Sequence, residues 1–569
     1  MKKKNDIFYK ELCCSFFLVF LFLMILVKSV QLQILSYKYT DNYIDKRVHN
    51  EVIKTPKRGD ILDRNGSVLA MSVPKYNVFL DAVSIKDLKE LEKFLSSINI
   101  KLNNKNLRDI KNNKRYIPIA FDLDQTVVDK IKDYRKMKKD FSMGIEEHFV
   151  RLYPEGNMLS HVLGIVDKNG TGLEGIEKIC DQKLAGQKVK VKRQKLGKRN
   201  LNEEFLDEED LKGSDIQLTI DKRIQFIAEQ ELEQGVKKKK AKNGTIIVQN
   251  PYTGEILAMA SYPNYNPAGK IPSVHILRNP AISFVREPGS TFKIIVASAA
   301  LEEKVFKPTD KINCENGRFK VGKDVIKDHE KKSMLSFSQV IEYSSNIGTA
   351  KIALKLGSED FYKYIRLFGF GSKTGIDLNG EESGLLKDPS QWSKRSLHTI
   401  SFGQEIATTP IQTINSFSAI ANGGNLMKPL IIKSIDGIEY EKATPIRKGF
   451  ISEEVSSKMK QILQGVIDNG TGKSAKIEGY SVAGKTGTAQ KTDKKTGKYS
   501  TKYYLASFCG FVPVKNPQVV ILVMIDEPEG DYYAASVATP IFAKVAERIM
   551  AYLNVEKEEI VKNKIKGKV

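Results

Sequence analysis

Pro288-Gly289-Ser290-Thr291-Phe292-Lys293-Ile294-Ile295-Val296-Ala297 sets a Pro-Gly turn directly before an apolar helical run. Residues three apart share a helix face. Ser290 Oγ and Lys293 Nζ are therefore predicted to meet one turn apart. A lysine kept neutral by burial or by a nearby cation can take a serine proton. The Ser290 N–H, at the helix start, would face an incoming carbonyl oxygen. The spacing alone is weak, because Ser72 to Lys75 and Ser457 to Lys460 repeat it. Pro74 disfavours a helix at the first, and the second falls mid-helix with no turn to expose its serine.

Two stretches downstream corroborate Ser290. Tyr343-Ser344-Ser345-Asn346-Ile347-Gly348 falls between two helical patterns, one ending near Glu342 and one starting near Ile347. Ser344 and Asn346 share a face only in a loop, where they can offer a hydroxyl relay and an amide; a plain helix cap is the alternative. Ala483-Gly484-Lys485-Thr486-Gly487-Thr488-Ala489 alternates as a strand. Gly487 would let another backbone approach, as strand addition at a sheet edge requires. Lys485 and Thr486 would bind a carboxylate, and the Thr488 N–H would complete an oxyanion pair with that of Ser290. Gly479 to Thr486 also fits the G-x-x-x-x-G-K-[ST] phosphate loop. That loop needs a helix opening at its lysine, and Gly487 with the polar, hairpin-like stretch Lys491 to Lys502 speaks against one.

The chain has 569 residues, 41% apolar and 28% charged, with formal charge +23. These fractions exclude wholesale disorder, collagen and a polytopic membrane protein. The charge alone suggests nucleic acid or an anionic surface. Leu12 to Val27 is broken only by Ser15, with Lys2, Lys3, Lys4 and Lys10 before it. No A-x-A-like cleavage site follows, so we read an uncleaved signal anchor over 12–35, lysines inside and the rest exported. Export weakens the nucleic-acid reading and leaves anionic wall polymers and lipid headgroups. The five cysteines (Cys13, Cys14, Cys180, Cys314, Cys509) fit neither a disulfide framework nor a metal site and read as separate thiols.

Beyond the anchor, Lys86 to Ile98 reads as an amphipathic helix and Lys188 to Arg199 as an exposed basic loop or ribbon. Ile216 to Ile220 alternates as a strand, and Asp221 caps a helix from Lys222 to Gly235. Gly244 to Val248 and Glu255 to Ser261 form a hairpin. Helices dominate from 290 to 470. Strands return at Tyr480 to Gln490, Tyr503 to Val512 and Val519 to Ile525, and a helix from Pro540 to Leu553 closes the unit. Two strands, then helices, then three strands predict an α+β fold: one antiparallel sheet covered by helices.

Ser-x-x-Lys, Ser-x-Asn and Lys-Thr-Gly, in that order, mark penicillin-binding proteins and class A β-lactamases. The sequence resembles the class B penicillin-binding proteins, the monofunctional peptidoglycan D,D-transpeptidases. The resemblance covers nearly the whole chain. Arg58-Gly59, Asp63-Arg64-Asn65-Gly66, Arg151-Leu152-Tyr153-Pro154, His161, Gly164 and Gly172-Leu173-Glu174-Gly175 are similar to the family's pedestal signature. Ser401-Phe402-Gly403-Gln404 with Pro410 resembles its tract between the second and third motifs. Asp531 to Ala535 with Thr539-Pro540-Ile541-Phe542 most resembles the division-type branch. Asn250, where the family usually has Asp before Pro, and Ser345, in the variable middle of its motif, are small departures.

The resemblance implies a cytoplasmic tail (1–11), a transmembrane anchor (12–35), a pedestal of dimerisation type (40–212), a transpeptidase domain of serine β-lactamase type with a five-stranded antiparallel sheet (213–553) and a basic tail (554–569). It implies Ser290 as nucleophile, Lys293 as general base, Ser344 as proton relay and Asn346 as holder of the peptide amide. It implies Lys485 as tuner of the relay, Thr486, Gly487 and Thr488 as substrate-binding residues, and Ser290 and Thr488 N–H as the oxyanion hole. It requires no metal, nucleotide or other cofactor. Implied partners are stem peptides, β-lactams, a polytopic lipid II polymerase and division proteins, at the cytoplasmic membrane with the catalytic domain outside. Elongation-type wall synthesis, a non-enzymatic β-lactam sensor or scaffold, and a P-loop NTPase are the alternatives. A β-lactamase is disfavoured, since no Glu-x-Glu-x-Asn-like segment lies between the second and third motifs. A bifunctional enzyme is disfavoured by the pedestal motifs.

Overall fold

The computed structural model describes residues 2–35, 49–54, 56–187, 189–196, 199–200, 211–322, 324–493 and 497–558. Parts of several sequence expectations lie outside them: the start of the pedestal and its residues 201–210, the basic stretch at 188 and 197–198, the hairpin-like stretch at 494–496, and the tail from 559.

The chain divides into two compact units, Met1–Lys57 with Gly186–Lys212, and Arg58–Ala185 with Gly213–Val569. In the first, helix α1 (Lys2–Val30) runs on into a π-helical turn, Gln31–Leu35, and together they carry an exposed apolar stretch, Lys10–Gln33, of 24 residues. At 1.5 Å per residue that spans a hydrocarbon core of about 30 Å. The same unit holds strand β1 (His49–Lys54), which pairs antiparallel with β6 (Val189–Leu196), while β6 pairs with β7 (Arg199–Asn200). The basic stretch is thus a ribbon.

The second unit opens with a mixed sheet. Its strands are β2 (Ile61–Leu62), β3 (Val68–Leu80), β4 (Ile117–Leu123) and β5 (Met143–Leu152), with β8 (Ile216–Leu218), β11 (Ile432–Ile435) and β12 (Ile438–Glu439). The order is β12-β11-β8-β2-β3-β4, with β5 also on β3. β8 pairs parallel with β2 and antiparallel with β11, so one sheet runs from the signature turn into the later part of the chain. Two helices cover the outer strands: α2 (Leu88–Ser97), capped by Asp87, and α3 (Gln125–Lys138).

The signature residues meet in a buried ionic node. Arg58 Nε and Arg151 Nε each lie 2.6 Å from a different oxygen of Glu177, and Arg58 Nη1 lies 2.7 Å from Asp181. Arg151 Nη1 donates to the Gly59 carbonyl at 2.7 Å. Guanidinium forks suit such bidentate work.

The five-stranded antiparallel sheet is present in the order β10-β9-β15-β14-β13. Its strands are β9 (Asn243–Gln249), β10 (Ile256–Tyr262), β13 (Ala483–Thr492), β14 (Tyr499–Val512) and β15 (Val519–Asp526). Every residue of β15 is buried, as in a strand covered on both faces. Helix α4 (Lys222–Lys238), capped by Asp221 as predicted, packs on β10 and on α10 (Ala534–Tyr552). The all-buried helix α8 (Pro410–Ala421) packs on β9, β14 and β15. Helix α9 (Glu453–Asp468) packs on β13, and α5 (Lys293–Glu302), α6 (Phe337–Glu342) and α7 (Asn346–Leu356) pack with one another, α5 and α6 also against α9.

Two boundaries differ from the sequence reading. Helix α10 begins at Ala534 and keeps Pro540 inside it. Its first turn is held by hydroxyls: Thr539 Oγ1 (2.6 Å) and Ser474 Oγ donate to the Ala535 carbonyl. The hairpin β13–β14 is longer than predicted, because Thr492 and Tyr499 still pair. Asn250, the departure at the Pro turn, accepts from the N–H of Tyr252 (2.9 Å) and Thr253 (3.3 Å). Its amide oxygen does the work a carboxylate would do in an Asx turn.

Candidate active site

The Pro288-Gly289 turn leads into a tight 3-10 turn, Gly289–Phe292, and α5 opens only at Lys293. The turn is seated on the Ser401 to Gln404 tract. The Gly289 N–H donates to the Gly403 carbonyl at 3.1 Å. A Cβ on Gly403 (φ +82°) would lie 2.2 Å from the Gly289 oxygen, so only glycine fits there. Ser290 is left half-buried at the rim.

Lys293 is fully buried. Its Nζ donates to the Ser344 carbonyl (2.5 Å) and to Asn346 Oδ1 (2.8 Å), with Ser344 Oγ at 3.2 Å. Burial pulls its pKa down to about 7, against a smaller upward pull from Asp328. A neutral amine has two N–H donors and one lone pair. Two acceptor-only carbonyl oxygens take the donors, which leaves the lone pair for a hydroxyl proton. The Lys293 nitrogen thus bonds the second motif, and Ser290 lies on the turn that precedes it.

The second motif is the loop between α6 and α7. Ser344 adopts φ +61°, the left-handed region rarely taken by non-glycine residues and often found at functional sites. The cap of α7 is Ser345, whose Oγ accepts from the Gly348 N–H at 2.9 Å. The residue in the motif's variable middle therefore does the capping and frees Ser344 and Asn346 to face Lys293.

Sequence reading missed Asp328. Its carboxylate accepts from Ser345 Oγ (2.6 Å), Asn346 N (2.6 Å) and Ile347 N (3.0 Å). A carboxylate at a helix start is favoured by the dipole and the free N–H groups. Asp328 follows a short hairpin, Arg318–Val321 with Asp324–Lys327, and no local pattern singles it out.

The third motif lies on β13, the sheet's edge strand, so no helix opens at Lys485 and the phosphate-loop reading has no structural basis. Lys485 is fully buried, with Nζ 3.3 Å from the Thr486 carbonyl and 3.4 Å from Thr486 Oγ1. Burial, and next the charge of Lys293, hold its pKa well below the ordinary lysine value. Thr486 Oγ1 lies 2.7 Å from Thr471 Oγ1, a second residue missed in the sequence. Thr488 Oγ1 accepts from the Ala534 N–H at 3.1 Å, which leaves its own proton to donate. Gly487 is small for an internal reason: a Cβ there would lie 2.5 Å from Ser507 Oγ and 3.1 Å from the Pro288 carbonyl. The glycine lets the strand close on the nucleophile turn.

Comparison with known proteins fits this geometry. The penicillin-binding protein transpeptidase domain model matches residues 244–547, and the penicillin-binding protein dimerisation domain model matches 53–218. The chain belongs to the class B penicillin-binding proteins. It is 34% identical to stage V sporulation protein D of Bacillus subtilis, over 90% of this chain and 80% of that protein. It is 30% identical to the peptidoglycan D,D-transpeptidase FtsI of Escherichia coli, over 88% of this chain and 85% of that one. The crystal structure of penicillin-binding protein 3 of Mycobacterium tuberculosis with aztreonam superposes with a TM-score of 0.69 at 28% identity, covering 89% of this chain and 98% of that one. This penicillin-binding protein is a membrane-anchored serine D,D-transpeptidase of peptidoglycan, a target of β-lactams.

Proposed function

We propose that Ser290 Oγ attacks the penultimate D-Ala carbonyl of a stem peptide ending in D-Ala-D-Ala. Lys293 takes the serine proton, and the Ser290 and Thr488 N–H groups hold the oxyanion. Ser344 passes a proton to the leaving D-Ala amine, with Lys485 tuning the relay. Asn346 holds the peptide amide, while Thr486 and Thr488 bind the terminal carboxylate at the edge of β13, beside Gly487. An amine of a neighbouring stem then attacks the Ser290 ester, which forms the cross-link and returns the serine. The observation that carries this reading is the buried Lys293, its donors spent on two carbonyl oxygens and its pKa lowered to about 7.

The domains of this reading are a pedestal over 40–212 and a transpeptidase over 213–553. The lysine-flanked anchor puts the amino terminus in the cytoplasm and the catalytic domain on the wall side of the cytoplasmic membrane. The resemblance at Asp531 to Phe542 supports a septal role, beside a polytopic lipid II polymerase and division proteins. Fluorescent penicillin should label the wild-type protein covalently and leave Ser290→Ala unlabelled; a folded wild type without label would overturn the reading. A fluorescent fusion should collect at septa, and an even signal along the side wall would assign it to elongation.

A further inference from the structure

One carboxylate beside the nucleophile has no part in the chemistry above. Glu287 lies three residues before Ser290. Its Oε1 accepts from the Tyr499 hydroxyl at 3.0 Å and from the Glu405 N–H at 2.9 Å. Tyr499 begins β14, at the far end of the hairpin whose other strand carries Lys485 to Thr488. Glu405 follows the Ser401 to Gln404 tract and holds φ +60°. Three segments that border Ser290 therefore converge on a single oxygen atom.

The surroundings show what that oxygen holds. On one flank the nucleophile turn is also stitched to the tract through backbone: Arg286 and Thr408 exchange hydrogen bonds at 3.0 and 2.8 Å, and Gly289 bonds Gly403. On the sheet side, Lys491 of β13 bonds both oxygens of Asp526 at 2.8 and 2.9 Å, which ties that strand to β15. Neither set of bonds joins the hairpin's far end to the nucleophile turn. The Glu287–Tyr499 bond does. It is charge-assisted, and it lies in a half-buried setting where such bonds are stronger than in water.

We propose that the Glu287–Tyr499 pair is a clasp that fixes the distance between the nucleophile turn and the catalytic edge strand, and that Glu287 is a positioning residue for acylation. The two oxyanion donors sit on the two bodies it joins, Ser290 on the turn and Thr488 on the strand. Donors of this kind act only when aimed at the transition-state oxygen, and displacements near 1 Å are costly. Opening the clasp loosens the spacing of these donors while leaving Ser290, Lys293 and the binding threonines chemically intact. The inference rests on the serine acylation proposed above.

The test is stopped-flow acylation by a fluorescent penicillin, resolving the plateau rate from the half-saturating concentration. Tyr499→Phe removes one hydroxyl from an otherwise unchanged ring. It should lower the plateau about tenfold with half-saturation unchanged, since the loss falls on the transition state. Glu287→Ala, which also gives up the Glu405 bond, should lower it at least as much. Glu287→Gln, which keeps an amide oxygen for the tyrosine, should recover most of the rate. The double variant Glu287→Ala/Tyr499→Phe should be no slower than Glu287→Ala alone, because that variant has already lost the Tyr499 bond. A wild-type plateau in Tyr499→Phe, no recovery in Glu287→Gln, or losses that multiply in the double variant would each overturn the clasp. A fall in melting temperature with the plateau unchanged would overturn it too. An unlabelled wild type would overturn the acylation reading and the clasp with it; a labelled wild type beside an undiminished Tyr499→Phe overturns the clasp alone.

Discussion

Two places in this molecule bury a pair of cations, and they do so in opposite ways. In the pedestal node Arg58 and Arg151 share the two oxygens of Glu177 at 2.6 Å each, with Asp181 as a further partner. In the catalytic cleft Lys293 and Lys485 are as deeply buried, yet their hydrogen-bond partners are carbonyl and hydroxyl oxygens alone. The first arrangement keeps every charge and builds structure from it. The second makes charge unfavourable, which leaves a lysine able to act as a base. Arginine suits the node because its guanidinium stays protonated, and lysine suits the cleft because its pKa yields to burial.

Lysine at 293 should give the largest effect when removed. Lys293→Met should slow penicillin acylation by more than about 10³-fold, as the loss of a general base does. The wild-type rate should rise with pH to a half-maximum near 7, where Lys293 loses its proton. Stability should also rise with pH, over a higher window. The folded pKa of about 7 lies below the ordinary 10.5. Below pH 7 both folded and unfolded states are protonated, and burying the charge costs up to about 5 kcal/mol at 1.36 kcal/mol per unit. Between 7 and 10.5 only the unfolded state holds the proton, so stability climbs with pH and the cost vanishes. Lys293→Met should therefore resist denaturant better than wild type at pH 6, with the gain shrinking as pH approaches 10. A variant less stable at pH 6 would show that the charge is compensated after all.

Glu177 tests the other half of the contrast. Glu177→Gln keeps the shape but leaves buried Arg151 facing a neutral amide and Arg58 with Asp181 as its remaining carboxylate. The expected loss is about 3–5 kcal/mol, the cost of stranding a buried charge. Replacing Arg58, Arg151 and Glu177 together by apolar residues of similar volume should recover most of it. Denaturant unfolding of both variants decides the point. Recovery would show that the node specifies geometry more than it adds stability.

Much of this was legible because the informative residues lie close together in the chain. A turn followed by a helix announced Ser290 and Lys293, and alternation announced β13 with its lysine and threonines. The pedestal node was visible only as a scatter of glycines, arginines and acids, because its partners come from residues 58, 151, 177 and 181. Asp328 and Thr471 were not legible for the same reason. Each acts on a motif through a contact made by folding, and an isolated aspartate or threonine in a loop carries no periodicity. Pro540 misled as a helix start because side-chain hydroxyls hold a turn ahead of it, and their donor Ser474 is remote in sequence.

Asp328 connects the two modes, being the carboxylate whose charge reaches Lys293 while its oxygens hold the second motif. Asp328→Asn removes the upward pull on Lys293. The pH profile of acylation should shift to lower pH, by about half a unit to one unit, while the plateau falls about tenfold as the hydrogen bonds at the start of α7 weaken. A lower plateau on an unshifted profile would confine Asp328 to a structural role.

The smallest effect belongs to Thr471, and it separates orientation from charge in the cleft. Thr486 Oγ1 has two lone pairs and one proton. Lys485 Nζ lies 3.4 Å from it and Thr471 Oγ1 lies 2.7 Å from it. When both donate, the two lone pairs are filled and the Thr486 proton has no internal acceptor left. It must then point to whatever enters the groove, which for a stem peptide is the terminal carboxylate. Thr471→Val keeps the shape but frees a lone pair, so the Thr486 hydroxyl is no longer forced outward. The net worth of such a bond is about 0.5–1.5 kcal/mol, or roughly two- to tenfold. Because the carboxylate is bound before and during acylation alike, the change should appear as a higher KM for a D-Ala-D-Ala peptide at constant kcat. A fall in kcat at constant KM would instead mean that the Thr471 hydroxyl feeds the proton relay through Lys485.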